Sequence, residues 1–266
     1  DVFSLLLSFK LMRKFFAYPL SVIFYLAFGL TICIFHPVQW VCYNWFGYQA
    51  HKKSVDYLNF CILKCLNLLG TRFTFENPYN IKRDQPIIIV ANHQGQWDIS
   101  PIIWYLRRLH PKFISKIELG KGIPSISYNL RKGGSALIDR KDKRQSIMAI
   151  RDLTKTLNKT NRSVVIFPEG TRSKDGIPKQ FATGGLVTLF KFMPDAIVVP
   201  VTINNSWKLM RWGGFPQDIG VHVKHTVHKP IPVAGTAPEE LVKQVQDIVL
   251  ADFPRIKEHT RKSKLI

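Results

Sequence analysis

An uncharged stretch near the N-terminus constrains this chain more than any other feature. None of the 36 residues from Phe15 to Ala50 is Lys, Arg, Asp or Glu. The segment Phe15–Phe35 alone is long enough to cross a bilayer as a helix, which needs roughly 20 apolar residues. A buried core helix is the alternative, but such helices are usually shorter. The stretch therefore predicts membrane attachment.

Basic residues flank this segment on both sides: Lys10, Arg13 and Lys14 precede it, and Lys52 and Lys53 follow it. A single span normally carries a more asymmetric charge distribution. Two arrangements remain open: one true span, or a re-entrant or interfacial helical hairpin that turns near His36-Pro37. A cleaved signal peptide is disfavoured, because the apolar region is too long and no small-residue cleavage site follows it.

The charge balance indicates an anionic partner. The chain contains 38 Lys and Arg against 18 Asp and Glu, a formal net charge of +20. Such an excess attracts nucleic acid, anionic lipid or phosphorylated substrates. Beside a long apolar segment and without a nucleic-acid-binding motif, lipid is the better interpretation. The four cysteines form no CxxC pair, so we expect neither a disulfide framework nor a metal site.

From Thr71 onward, short apolar runs alternate with helix-like segments. Strands are predicted at Arg72–Glu76, Ile87–Ala91, Phe113–Ser115, Ala136–Ile138, Val164–Phe167, Ile197–Thr202 and Gly220–Val227. Helices are predicted at Ser100–Arg108, Ile123–Leu130, Arg144–Asn158, Gly184–Phe192 and Pro238–Asp252. This alternation is typical of an α/β fold with a largely parallel sheet flanked by helices, here preceded by a hydrophobic helical membrane segment.

The predicted organisation has three parts. Residues 1–70 form membrane-anchoring helices, residues 71–253 form the α/β domain, and residues 254–266 form a basic C-terminal tail. Ligand sites in α/β domains usually lie beyond the C-terminal ends of the strands. Two motifs follow predicted strands directly, and both therefore belong to the candidate site.

The first motif places a histidine and an aspartate after the second strand, in the sequence NHQGQWD. His93 lies on the turn, and Asp98 falls near the start of the next helix. A carboxylate at this distance can orient one imidazole nitrogen and leave the other free to take a proton. No serine of the enzyme accompanies the pair, so the attacking group is expected to be a hydroxyl of the substrate. The spacing alone would also suit a hydrogen bond that merely stabilises a turn, or an N-cap.

The second motif, FPEGTRS, follows the fifth predicted strand. Gly170 permits a tight turn and a close approach to a ligand. Arg172 offers a planar guanidinium suited to phosphate, and Thr171 adds a hydroxyl donor. The alternative is a surface loop with an ordinary Glu169–Arg172 ion pair, which contributes little to stability.

Together the two motifs resemble the glycerolipid acyltransferase family, whose pattern is NHxxxxD followed by EGTR. Two further segments resemble blocks of that family: KIEL with a following Pro124, and GGSALIDR. Val199-Pro200-Val201 is similar to its fourth block. The four blocks cover roughly residues 87–202, and the closest branch is the one that acylates 1-acylglycerol-3-phosphate. Gly95 stands where many members carry serine, and Ser127 stands near a position often held by glycine.

The resemblance implies an enzyme that moves a fatty acyl group from acyl-CoA or acyl carrier protein to the sn-2 hydroxyl of 1-acylglycerol-3-phosphate, giving phosphatidic acid in phospholipid synthesis. His93 and Asp98 would be catalytic, without a cofactor or metal. The substrate phosphate would be bound by Arg172, Arg140, Lys116, Glu169, Gly170 and Thr171. The implied partners are a lysophospholipid, the acyl donor and membrane lipid, but not nucleic acid. The implied location is a membrane, such as the bacterial inner membrane, with the site facing the cytoplasm.

Two other functions are consistent with parts of the sequence. One is a related acyltransferase with glycerol-3-phosphate or a lyso-aminolipid as acceptor. The other is a basic membrane-surface protein without catalysis. The presence of His93, Asp98, Glu169 and Arg172 argues against the second.

Overall fold

The computed structural model describes residues 2–257, with side chains from residue 8 onward. Most of the predicted basic tail, residues 258–266, lies outside the described residues.

One mixed sheet of eight strands forms the centre of the domain, in the order β1-β7-β6-β2-β5-β3-β4, with β8 paired to β6. The strands are β1 Arg72–Glu76, β2 Ile87–Ala91, β3 Pro111–Lys116, β4 Ala136–Ile138, β5 Ser163–Ile166, β6 Ile197–Asn204, β7 His222–Val227 and β8 Ile231–Pro232. The predicted α/β fold is confirmed. The short β8 was not predicted, because two residues give no periodic signal.

Strand β2 lies at the centre and pairs in parallel with β5 on one side and β6 on the other. All five of its residues are buried, as expected for a parallel strand covered on both faces. Strands β3 and β4 continue the parallel arrangement beyond β5. The C-terminal ends of β6, β2, β5, β3 and β4 therefore lie at one edge of the sheet. Strand β7 runs antiparallel to β6, so the sheet is largely but not wholly parallel.

Helices cover both faces of the sheet. They are α1 Val2–Asn67, α2 Ile99–Tyr105, α3 Ile126–Lys132, α4 Lys143–Thr160, α5 Thr183–Phe192 and α6 Pro238–Leu250. Alternate residues of β2 point to opposite faces. Ile87 and Ile89 contribute to a core shared with α1 and α2. Ile88 and Val90 contribute to a second core shared with α4, α5 and α6.

Helix α1 is a hairpin of two helical arms that meet at Gly47, whose φ of 78° and ψ of −173° are not helical. The arms run antiparallel. The Tyr43 and His51 rings are 5.5 Å apart, and the Thr31 hydroxyl lies 3.5 Å from the Cys65 sulfur.

The predicted turn near His36-Pro37 is wrong, because the helix continues through both residues. Packing against the start of α3 holds this part of the helix. His36 accepts a hydrogen bond from the Ser125 N–H at 3.1 Å, and the Ser125 hydroxyl donates to the Ile32 carbonyl at 2.6 Å. The reversal falls instead at Gly47, whose backbone conformation is essentially restricted to glycine.

The N-terminal arm buries one face against the domain and exposes a long apolar surface on the other. The exposed side chains are Phe9, Leu11, Met12, Phe15, Phe16, Tyr18, Val22, Ile23, Leu26, Leu30, Ile34, Val38, Trp40, Trp45 and Phe46. The helix is long and apolar enough to cross a membrane, yet only 17% of its most apolar window is buried, so a core helix is a poor description. A contiguous apolar surface of this kind marks an interaction site, and here it supports association with a membrane.

Replacing Gly47 with alanine tests the hairpin turn. No atom lies within 4 Å of the added methyl group, so the cost is backbone strain alone. We expect the Gly47→Ala variant to lose about 1–3 kcal/mol of stability. Thermal unfolding in detergent measures the loss.

Gly29→Ala is the matched control, since this glycine is helical and equally uncrowded. It should leave stability unchanged or raise it by about 0.5–1 kcal/mol. Equal effects of the two substitutions would contradict a turn that depends on the Gly47 conformation.

Candidate active site

The turn after β2 brings His93 and Asp98 together, as the first motif predicts. The His93 Nδ1 atom lies 2.9 Å from Asp98 Oδ2. The preceding residue fixes the base of the turn, because the Asn92 side-chain amide donates to the Ile203 carbonyl at 2.9 Å and accepts from the Ile203 N–H at 2.7 Å. These bonds tie the end of β2 to β6 and set where the turn begins.

The Asp98 carboxylate organises the whole turn. Its Oδ2 atom also accepts the backbone N–H groups of Gln94 at 2.7 Å and Gly95 at 2.9 Å. The residue is fully buried. Burial acts to raise the pKa of Asp98, but the hydrogen bond and charge of His93 and the N–H of Gly95 outweigh it, so the pKa lies below its ordinary value. The aspartate is therefore ionised at neutral pH.

An ionised Asp98 can only accept hydrogen bonds, so Nδ1 of His93 carries the proton. Its Nε2 atom remains a free acceptor, with no hydrogen-bond partner among residues 8–257. The imidazole is 18% exposed, which leaves Nε2 accessible to a substrate. This arrangement can remove a proton from a group that enters from solvent or lipid.

The loop after β5 clamps the main chain of His93. The His93 N–H donates to Glu169 Oε1 at 2.7 Å. The Ser173 N–H and hydroxyl both donate to the His93 carbonyl, at 2.8 and 3.0 Å. The imidazole stacks on the Phe167 ring, with a centroid distance of 4.3 Å. The two motifs thus form one site, because β2 and β5 are neighbours that end at the same edge.

The structure places Glu169 differently from the expectation that it would contact the substrate phosphate. The residue is 1% exposed. Besides His93, its carboxylate accepts the Lys179 N–H at 2.8 Å through Oε2. A buried carboxyl group whose two oxygens both accept backbone N–H groups is unsuited to binding phosphate, and its geometry instead supports the loop. Burial raises the pKa of Glu169 to about 7, against the opposing effect of these hydrogen bonds.

The other predicted phosphate ligands lie along the same edge of the sheet. Arg172 is exposed and forms no ion pair or hydrogen bond with a described residue, so its guanidinium is available. Arg140 follows β4 and donates to the Gly170 carbonyl. Thr171 is exposed and accepts from the Lys179 ammonium group. Lys116 is exposed at the end of β3.

Gly170 has a φ of +70°, the left-handed conformation that a glycine adopts readily in this tight turn. The structure thus brings the cationic candidates to one edge of the sheet. Among them, Arg172 is exposed and has no hydrogen-bond or ion-pair partner among the described residues.

Sequence reasoning missed Ser206, which fills the space beside Gly95. A Cβ atom on Gly95 would lie 3.1 Å from the Ser206 hydroxyl. That hydroxyl contributes to lowering the pKa of Asp98, after the larger effects of burial, His93 and Gly95. The space left by the missing side chain at position 95 is therefore occupied by a hydroxyl from the segment that follows β6. No local pattern links two positions so far apart in sequence.

Trp97 connects the candidate site to the N-terminal hairpin. Its ring lies 5.2 Å from Phe24 and 5.3 Å from Phe28, both edge to face. Its Nε1–H donates to the Gln217 side chain at 3.1 Å. The catalytic turn and the apolar arm are thus packed together. Across residues 2–257, no group of three or more His, Cys, Asp or Glu is placed to hold a metal ion.

The raised pKa of Glu169 predicts a pH-dependent stability. The folded-state pKa of about 7 lies above the ordinary value of 4.5, so the folded protein binds this proton more tightly. The stabilisation is full below about pH 4.5 and is lost as the pH rises to about 7. We expect the wild type, relative to Glu169→Gln, to lose about 2–3 kcal/mol between about pH 5 and about pH 8. Thermal unfolding of both proteins across this range measures the difference.

Glu239→Gln, at an exposed position, is the control and should follow the wild-type pH dependence. Parallel stability curves for the wild type and Glu169→Gln would show that Glu169 does not titrate in this way.

Comparison with known proteins adds independent information. The model of a family described as "Acyltransferase" matches residues 72–204. The chain is 33% identical over 148 residues to the chloroplastic 1-acyl-sn-glycerol-3-phosphate acyltransferase of Arabidopsis thaliana, a match covering 56% of this chain and 40% of that protein. It is 38% identical over 128 residues to the Helicobacter pylori 1-acyl-sn-glycerol-3-phosphate acyltransferase, covering 46% and 50%. The matches span half or less of the length of these two relatives.

A solved structure shows the same fold over nearly the whole chain. The crystal structure of the 1-acyl-sn-glycerophosphate acyltransferase from Thermotoga maritima superposes with a TM-score of 0.73 and 25% sequence identity. The match covers 90% of this chain and 93% of that one. The family match spans half of the chain and contains His93, Asp98, Glu169 and Arg172. The chain therefore belongs to the acyltransferase family.

Proposed function

We propose that this protein transfers a fatty acyl group from an acyl thioester to the sn-2 hydroxyl of a 1-acylglycerol 3-phosphate. The Nε2 atom of His93 takes the hydroxyl proton, and the oxygen attacks the thioester carbonyl. A tetrahedral oxyanion forms and collapses, the carbon–sulfur bond breaks, and the thiol leaves with the proton from the imidazolium. Asp98 holds the tautomer and stabilises the imidazolium. The donor is acyl-CoA or acyl carrier protein.

One observation carries this proposal: the ionised Asp98 binds Nδ1 of His93 at 2.9 Å and leaves Nε2 free. Within residues 8–257, no serine or cysteine of the chain hydrogen-bonds to Nε2, which favours direct attack by the substrate. The substrate class is supported by the relatives, which are named 1-acyl-sn-glycerol-3-phosphate acyltransferases.

The acceptor phosphate is proposed to bind Arg172, with Arg140 and Lys116 nearby. Arg172 lies on the loop that clamps His93, so a phosphate bound there would hold its lipid close to Nε2. Its guanidinium can donate two parallel hydrogen bonds to phosphate oxygens. Arg140 already donates to the Gly170 carbonyl and therefore supports the turn as well.

The exposed apolar face of α1 supports a position at the membrane surface, where the acceptor lipid resides. We propose that the site faces the cytoplasm, as at a bacterial inner membrane, because that compartment supplies acyl thioesters. Accessibility of Arg172→Cys to a membrane-impermeant thiol reagent, in sealed vesicles of known orientation, tests this. Labelling from the opposite side would refute it.

Two variants separate the proposed roles of His93 and Arg172. His93→Ala should lower kcat by ~10²–10⁴-fold, because the general base is lost. Arg172→Ala should chiefly raise KM for the phosphorylated acceptor. Initial rates with one labelled acyl donor and lysophosphatidic acid measure both effects.

His228→Gln is the control for His93→Ala, since His228 lies beyond the end of β7 and its imidazole is hydrogen-bonded to the Thr202 hydroxyl. It should keep near wild-type rates. Wild-type kcat in His93→Ala would refute the mechanism. Equal turnover of glycerol-3-phosphate or a lyso-aminolipid by the wild type would refute the proposed acceptor.

A further inference from the structure

A cationic cavity, separate from the candidate active site, lies at the same edge of the sheet, on the other side of β6 from the loop that carries Arg172. Its volume is about 210 Å³. Its lining residues come from α1, from the segment after β6 and from the start of β7: Arg13, Asn205, Lys208, Arg211, Gly220, Val221 and His222.

The cavity carries a net positive charge. Asp218 is the only carboxylate bonded to its cations among residues 8–257, and its side chain is fully buried. Arg13 Nε donates to Asp218 Oδ1 at 2.8 Å, and Arg211 Nη2 lies 2.6 Å from Oδ2. Lys208 forms no ion pair within that range. Three cations against one carboxylate leave two positive charges at the cavity.

Both arginines are held in place and keep N–H donors that are not used in these contacts. Arg13 also donates to the Ile219 carbonyl at 2.5 Å. The side chains of Arg13 and Arg211 remain 33% and 30% exposed. Because a guanidinium has five N–H donors, each keeps donors that can bind an anion. The buried carboxylate therefore fixes the orientation of the two arginines at the cavity.

Exposed apolar side chains lie on the same chain segments as two of the cavity's cations. Arg13 lies on the α1 arm that exposes Phe9, Met12 and Phe16. Phe215, in the same loop as Arg211, is 52% exposed and packs on Tyr18 at 5.7 Å. The cations thus lie next to the surface expected to contact lipid. That combination suits a charged headgroup whose acyl chains remain outside.

We infer that Arg13, Lys208 and Arg211 bind the phosphate monoester headgroup of an anionic lipid, at a site separate from that of Arg172. The two positive charges match a monoester, which carries up to two negative charges, better than a diester. The cavity is smaller than the roughly 300–1,000 Å³ of sites that enclose whole small molecules, so it suits a headgroup alone. His93 lies between the two cationic sites, since β2 separates β6 from β5.

A binding titration without turnover tests the headgroup site and does not depend on the proposed reaction. The full chain, carrying Arg172→Ala to weaken the other proposed phosphate site, is titrated in neutral detergent micelles with increasing dioleoyl phosphatidic acid. Ligand-dependent thermal stabilisation gives an apparent Kd. Adding Lys208→Gln and Arg211→Gln should weaken binding about 10- to 100-fold, because two charge-assisted contacts are lost.

The matched control replaces two exposed lysines elsewhere, Lys191→Gln and Lys243→Gln, and should leave the Kd unchanged. Equal weakening by both pairs would mean general attraction to basic surface and would overturn the site. Equal affinity for phosphatidylglycerol would overturn the preference for a monoester. If inorganic phosphate bound the site with an affinity similar to that of phosphatidic acid, and so competed with it at matching concentrations, the ligand would be a soluble phosphate and the lipid assignment would be overturned.

Discussion

The fixation of His93 by two carboxylates is the interaction on which the candidate site depends. Asp98 Oδ2 accepts hydrogen bonds from the His93 imidazole and from the next two backbone N–H groups. One oxygen therefore fixes both the orientation of the His93 side chain and the conformation of the turn. Glu169 binds the backbone N–H of the same histidine from the neighbouring strand. Both carboxylates are buried, so the hydrogen bonds exchange little with water. The imidazole is therefore held in one tautomer and one orientation before a substrate arrives.

This fixation requires the order of the parallel strands. Because β2 and β5 pair in register, the loops after them meet at one edge, where Ser173 and Glu169 reach His93. On the other face of the turn, Trp97 packs against Phe24 and Phe28 of the apolar arm. The position of His93 relative to the apolar arm is thus set by packing between the hairpin and the domain.

Much of the fold followed from local patterns. The bounds of β1, β2 and β4 agree with prediction, because β2 and β4 are short apolar runs between polar turns and β1 alternates polar with aromatic residues. The pairing of His93 with Asp98 was predictable for the same reason, since both lie in one turn. The hairpin turn was misplaced: a proline suggested a break, but contacts with Ser125 hold the helix through Pro37, and Gly47 has the conformation that only glycine adopts readily.

Features that depend on distant residues were not predictable. Glu169 was expected to contact the substrate phosphate, and only the fold shows that its carboxyl group is buried against the His93 backbone. The Ser206 hydroxyl beside Gly95 comes from the segment that follows β6. The cavity formed by Arg13, Lys208 and Arg211 joins two ends of the chain through Asp218. In each case the sequence separation exceeds the range over which periodicity and spacing carry information.

The central claim is that His93 activates the hydroxyl of the acceptor directly, without an acyl-enzyme. Two-substrate initial-rate kinetics tests it most directly, with the acyl thioester varied at several fixed concentrations of lysophosphatidic acid in mixed micelles. Direct transfer requires both substrates to be bound together, so the double-reciprocal lines should intersect. Parallel lines, the pattern of a ping-pong reaction through a covalent intermediate, would contradict the account.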